Sequence, residues 1–239
     1  MSDLAAEVLA TARQMNAVGI NRGAAGNVSV RDGDGFIITP TGMAYDECRP
    51  QDMVRVKVGA GPSQADAPPV GGSEPGLRAR GANSVGAGAT AQGRRQPSSE
   101  WRFHRDIYAA RPEAGAILHA HAPFATALAC QSIELPPFHY MIARFGGDSV
   151  RCARYATFGT QELSDAMLDA LRERRACLMA HHGMAVFGAD LKEALALAVE
   201  LESLCEQYWR VLQLGAPILL PADEMARVIE KFRAYGRQD

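Results

Sequence analysis

His119-Ala120-His121 closes an apolar run at residues 114–118. Side chains alternate between the faces of an extended strand, so two imidazoles two residues apart point the same way and can share one cation. A further imidazole is offered by His181-His182-Gly183, which follows a second apolar run at 177–180. Glu100, in Pro97-Ser98-Ser99-Glu100, adds a carboxylate. Three imidazoles and a carboxylate suit a catalytic zinc site in which the carboxylate doubles as a base. Plainer uses exist for each part. A short His-x-His often binds no metal, and a glutamate in the first turn of a helix is favoured by the helix dipole alone.

The elements that must position these residues are legible from periodicity. Leu4, Val8, Thr11, Ala12 and Met15 recur at helical spacing and Gly19 stops that helix. Segments 28–30 and 36–39 read as strands joined by the turn Asp32-Gly33-Asp34-Gly35. Pro40-Thr41-Gly42 is a turn, and Val54, Val56 and Val58 alternate with Arg55 and Lys57 as a half-buried strand. Ser98 or Ser99 is expected to cap a helix running to about Ala110, ended by Arg111-Pro112. Strands follow at 114–121, 148–152, 177–180 and 184–187, and helices at 124–130, 160–172, 191–214 and 223–235. Short strands mixed with helices and tight turns point to an α/β sandwich, not a purely parallel doubly wound sheet.

Residues 59–96 break this pattern. Nine of the chain's 23 glycines lie there, with no aromatic residue and only Val70, Leu77 and Val85 as large aliphatics. Such a segment buries too little apolar surface to offset its ordering entropy, so a disordered Gly/Ala/Pro-rich insertion is expected.

The 239-residue chain as a whole has enough apolar content (47%) for one full core. A net charge of −2 and a pI near 6.3 give no basic field for nucleic acid. No run approaches the ~20 apolar residues of a membrane helix. Met1-Ser2-Asp3-Leu4 opens no secretory leader, and five scattered cysteines (48, 130, 152, 177 and 205) favour reduced thiols. A cytoplasmic protein is expected, with Cys177 a small core residue.

Five motifs in order (Ala25-Gly26-Asn27-Val28-Ser29, Ile38-Thr39-Pro40-Thr41-Gly42, Pro97-Ser98-Ser99-Glu100, His119-Ala120-His121 and His181-His182-Gly183) resemble the class II aldolase/adducin family. Trp101-Arg102-Phe103-His104, His139-Tyr140-Met141-Ile142-Ala143 and Tyr155-Ala156-Thr157-Phe158-Gly159-Thr160 resemble its fuculose-phosphate aldolase subgroup. The resemblance spans nearly the whole chain outside 59–96. It implies a single three-layer αβα domain over 1–239 with a mixed, largely antiparallel central sheet. It also implies one Zn2+ per subunit on His119, His121 and His182, the last preferred to His181 because it directly precedes the glycine. Glu100 would be the fourth, displaceable ligand and the acid/base.

By the same resemblance Gly26, Asn27, Thr41, Gly42, Ser98 and Ser99 form a phosphate cradle of neutral donors. Tyr140 protonates the aldehyde oxygen across a subunit boundary, Tyr235 closes the site, and Phe158 lines the pocket. The implied reaction cleaves L-fuculose 1-phosphate, or a related deoxyketose 1-phosphate, to dihydroxyacetone phosphate and a small aldehyde such as L-lactaldehyde. The implied assembly is a homotetramer with sites between subunits. Family alternatives are a pentose-phosphate 4-epimerase, a methylthioribulose-1-phosphate dehydratase, or a non-catalytic adducin-like binding module. Ala24, Arg144 and Phe145 depart from the family pattern, the last two beside the expected aldehyde pocket. His104 is expected to orient Glu100 or to pack, and His139 to point away from Tyr140.

Overall fold

The computed structural model of the chain describes residues 3–59 and 95–234. Apart from its two ends, the 59–96 segment lies outside the described residues, and so does Tyr235.

Among the described residues, seven strands form one mixed sheet: β1 (Asn27–Asp32), β2 (Gly35–Ile38), β3 (Val54–Lys57), β4 (Ala116–Ala120), β5 (Arg151–Ala153), β6 (Ala176–Met179) and β7 (Gly183–Gly188). Their order is β3-β2-β1-β4-β7-β6-β5, and only the β5–β6 pair is parallel. The expected α/β class with a largely antiparallel sheet is therefore the observed one.

Helices cover both faces. α1 (Asp3–Ala17), α3 (Pro123–Cys130) and α5 (Leu191–Leu214) pack on one, α2 (Trp101–Ala110) and α4 (Gln161–Ala170) on the other. Strand alternation divides the core accordingly. Leu118 and Val186 meet Val8 and Leu201, whereas Ile117 and Phe187 meet Phe103 and Leu163. Each such side chain, fully removed from water, stabilises the fold by about 1.5–3 kcal/mol. α6 (Ala222–Ala234) ends the described chain, and among the described residues no helix is long and apolar enough to cross a membrane.

Local chemistry sets the boundaries. Asp190 caps α5 by accepting from the Glu193 N–H at 2.7 Å, and Thr160 caps α4 by accepting from the Leu163 N–H at 3.3 Å. α2 departs from expectation, because its N-cap is Glu100 and no side chain caps it. Ser98 is turned instead toward Asn27, and its hydroxyl meets the Glu100 N–H only at 3.4 Å. The strand expected at 148–152 is shifted to Arg151–Ala153, and a 3-10 helix at Tyr140–Phe145 was not signalled.

Candidate metal centre and active site

His119 lies on the central strand β4, paired with Asn27 of β1 on one side and Ala185 of β7 on the other. Alternation turns its ring toward α2, where it meets the edge of Phe103. Its Nδ1–H donates to the Met184 carbonyl at 2.8 Å, which leaves Nε2 as the free lone pair. His121, just past the strand end, lies on the same side, and His182 enters from the β6–β7 turn. The three rings stand 4.8–4.9 Å apart, and their nitrogens all lie within 4.8 Å of one another.

Backbone geometry selects His182 over His181. His181 adopts a left-handed φ of 56°, costing about 1–2 kcal/mol for a residue with a Cβ, and its exposed ring turns to the edge of Tyr155. Gly183 then passes so close to β4 that a Cβ there would lie 2.5 Å from the Ala120 carbonyl and 3.1 Å from the His121 ring. The glycine of this motif is thus needed for the approach that brings His121 and His182 together.

Glu100 is buried with φ −99° and ψ 12°, a bridge-region backbone that aims its carboxylate across the three rings. Its Oε2 lies 3.1 Å from His119 Nε2 and its Oε1 lies 3.1 Å from His182 Nε2. Neither Oε1 nor His119 Nε2 is aligned in a hydrogen bond. Burial opposes the charge on Glu100, yet the facing His119 and His182 hold its carboxyl far below the usual range. Burial likewise opposes protonation of His119, but the Glu100 carboxylate outweighs it and raises that pKa. His121 is pushed down to about 4, by burial first and then by His119 and His182. Three converging imidazoles, an orphaned buried nitrogen and an orphaned buried carboxylate oxygen fit a divalent cation of the borderline-soft kind.

Behind the carboxylate stands Asn27. Its Nδ2 donates to Glu100 Oε2 at 2.9 Å and to Ser98 Oγ at 3.1 Å. Its Oδ1 meets His104 Nε2 at 2.5 Å. His104 is fully buried, and burial first, then the His119 charge, push its pKa down to about 3. It therefore reaches Glu100 through Asn27 and not directly.

The residues expected to form a phosphate cradle lie on three segments. Pro40 bridges Pro97, the Ser98 N–H donates to the Thr39 carbonyl at 3.0 Å, and the Thr41 N–H donates to the Gln96 carbonyl at 3.1 Å. This places Thr41 and Gly42 beside Ser98 and Ser99, one strand away from Gly26 and Asn27. Gly26 is needed for contact, because a Cβ would lie 2.4 Å from the His119 carbonyl. Its N–H donates to Asn21 Oδ1 at 2.9 Å, and its carbonyl accepts from the Tyr45 hydroxyl. Among the described residues, the Thr41 and Ser99 hydroxyls have no partner.

The remaining expected residues are on the surface. Tyr140 is half exposed and stacks on His139 at 4.9 Å, so the expectation that the two rings diverge fails; the 3-10 helix that starts at Tyr140 folds one back on the other. Phe158 is exposed, on a turn tied to α2 by Arg102 Nη1 donating to the Gly159 carbonyl at 2.6 Å. Arg144 pairs with Glu200 of α5 at 3.2 Å, and Phe145 is fully buried in the core under α5. Their bulk is absorbed by packing. Sequence reasoning gave no role to Ser29, Tyr108 or the Met184 carbonyl. Ser29 stood within a quoted motif, but contacts 75 and more residues away carry no local signal.

The pattern described as the Class II Aldolase and Adducin N-terminal domain matches residues 6–209. The 5-methylthioribulose-1-phosphate/5-deoxyribulose-1-phosphate aldolase of Rhodospirillum rubrum is 49% identical over 225 residues, 94% of this chain and 89% of that protein. The L-fuculose phosphate aldolase of Escherichia coli O6:H1 is 40% identical over 234 residues, 98% of this chain and 95% of that protein. A solved L-fuculose 1-phosphate aldolase superposes with a TM-score of 0.81 at 33% identity, covering 98% of this chain and 97% of the other. The chain belongs to the class II aldolase and adducin family, and within it is an enzyme, a lyase.

Proposed function

We propose that the protein is a zinc-dependent aldolase that cleaves deoxyketose 1-phosphates to dihydroxyacetone phosphate and a small aldehyde. 5-Methylthioribulose 1-phosphate and 5-deoxyribulose 1-phosphate are the first substrates, ahead of L-fuculose 1-phosphate. The observation that carries the reading is the buried Glu100 carboxylate held 3.1 Å from both His119 and His182. His119, His121 and His182 would hold the ion, with Glu100 a fourth ligand that substrate displaces. When bound, the ion supplies Lewis-acid polarisation of the substrate's carbonyl and hydroxyl oxygens, which acidifies the C–H between them.

Glu100, once displaced, returns a proton to that carbon after C–C cleavage and removes it in the reverse direction and in exchange, and the Asn27 amide keeps the carboxylate oriented toward it. The Thr41 and Ser99 hydroxyls and the Gly42 turn receive the phosphate, with Gly26, Asn27 and Ser98 shaping the floor. In cleavage Tyr140, from a neighbouring subunit of a homotetramer, takes the proton of the alcohol that becomes the aldehyde as the adjacent C–C bond breaks, and gives it back in the reverse direction; Tyr235 closes the site. Exposed apolar side chains at Trp209, Leu214 and Ile218 support such an assembly.

The substrate order is supported by 49% against 40% identity to the two named aldolases. It is also supported by the exposed aromatic rings of Tyr155 and Phe158, since a thioether makes favourable contacts with ring edges. Five free cysteines support a reducing cytoplasm and one domain over 1–239 completes the reading.

Release of dihydroxyacetone phosphate from each of the three ketose 1-phosphates by the zinc-loaded protein tests this. The expected result is the highest kcat/KM with the methylthio or 5-deoxy pentulose. A preference for L-fuculose 1-phosphate would reverse the substrate order, and no release from any of them would overturn the aldolase reading.

A further inference from the structure

The amide of Asn27 on β1 sits between two side chains one helical turn apart, Glu100 at the N-cap of α2 and His104 within it. Every donor along this line is fixed by chemistry. An ionised carboxylate only accepts, so the Asn27 group 2.9 Å from Glu100 Oε2 must be Nδ2. Oδ1 then faces His104, and an amide oxygen only accepts, so His104 must carry its proton on Nε2. Its Nδ1 is left to accept from the Ser29 hydroxyl at 2.7 Å, and Ser29 Oγ in turn accepts from the Tyr108 hydroxyl at 2.8 Å. Tyr108, Ser29, His104 and Asn27 are all buried, so no water competes for these bonds.

We propose that His104 is a positioning residue for Glu100. Its Nε2–H, matched on the other side of the ring by the Ser29 hydroxyl, holds the Asn27 amide so that Nδ2 restrains one oxygen of the carboxylate. Without that lock the amide is free to rotate, and its oxygen then repels Glu100. The inference rests on Glu100 moving the substrate's proton, as proposed above.

Two arms test it. The first is long-range proton–nitrogen NMR of the full chain labelled with 15N-histidine, the His104 signal being the one absent from His104→Gln. An Nε2–H tautomer at His104 is expected, and an Nδ1–H tautomer overturns the proposal whatever the activity. The second is deuterium exchange into dihydroxyacetone phosphate by the zinc-loaded enzyme. His104→Phe should slow it about tenfold, ~1.4 kcal/mol, with metal content unchanged. His104→Gln, which keeps a donor near the Nε2 position, should recover most of the rate. Adding His104→Phe to Asn27→Ala should cost nothing further, because His104 acts through Asn27. Losses that multiply in the double variant would overturn the proposal. Absence of exchange in the wild type would instead sink the aldolase reading, and the tautomer then decides this inference alone.

Discussion

His119 Nδ1 lies 2.8 Å from the Met184 carbonyl, and that bond between neighbouring strands fixes which nitrogen of this fully buried histidine faces the site. Nε2 is thereby held 3.1 Å from Glu100 Oε2 with no aligned hydrogen bond, the arrangement expected around a shared cation.

Removing the metal should therefore destabilise the fold. A ligand that binds only the native state stabilises it by about 4 kcal/mol at a thousand times its Kd. Thermal unfolding should show a lower Tm after chelation and recovery on adding zinc. Equal transitions with and without the ion would contradict a metal bound by His119, His121 and His182.

Gly183→Ala should damage the centre without touching a ligand. Its Cβ would lie 2.5 Å from the Ala120 carbonyl, and the backbone must shift at a cost of about 1–3 kcal/mol. Because the His121 ring is the next nearest group, zinc affinity should fall at least about tenfold. Gly59→Ala, where nothing among the described residues lies within 4 Å, is the control. Titration with a metallochromic competitor compares the two, and equal affinities would contradict the packing argument.

Much of this site was legible because its signals are local. The His-x-His on a strand, the glycine after His182, the hairpin around Gly33 and the bounds of α5 follow from periodicity and turn chemistry. What escaped depends on distant contacts. Glu100 takes the N-cap of α2 because Ser98 is drawn to Asn27, 71 residues away, and His104 contacts Asn27 across 77. That Phe145 packs into the core beneath α5 is likewise visible only in the fold.

A pH dependence follows from His104. Its folded pKa is pushed down to about 3, against 6.5 when unfolded. Above pH 6.5 neither state binds the proton, and this contribution to stability is fully present. As pH falls toward 3 only the unfolded chain takes it up, so stability drops by up to ~1.4 kcal/mol per pH unit. Urea unfolding of the metal-free protein between pH 4.5 and 7.5 should give a shallower slope for His104→Gln. Parallel curves would contradict a neutral buried imidazole.

Tyr140→Phe separates the two halves of the proposed reaction. The phenol is assigned to the oxygen that becomes the aldehyde, so ketose phosphate cleavage should fall by about 100-fold, within the usual range for a lost proton-transfer group. Exchange of dihydroxyacetone phosphate protons needs no aldehyde and should persist. Equal losses in both assays would remove Tyr140 from that role.

The most direct test of Glu100 as the proton-moving group is proton NMR of dihydroxyacetone phosphate in heavy water with zinc-loaded protein, beside Glu100→Gln. The account predicts deuterium entering the hydroxymethyl carbon with the wild type and at least ~100-fold slower exchange with the variant, zinc remaining bound to the three histidines in both. Exchange that survives in Glu100→Gln, or that never occurs with the loaded wild type, would contradict it.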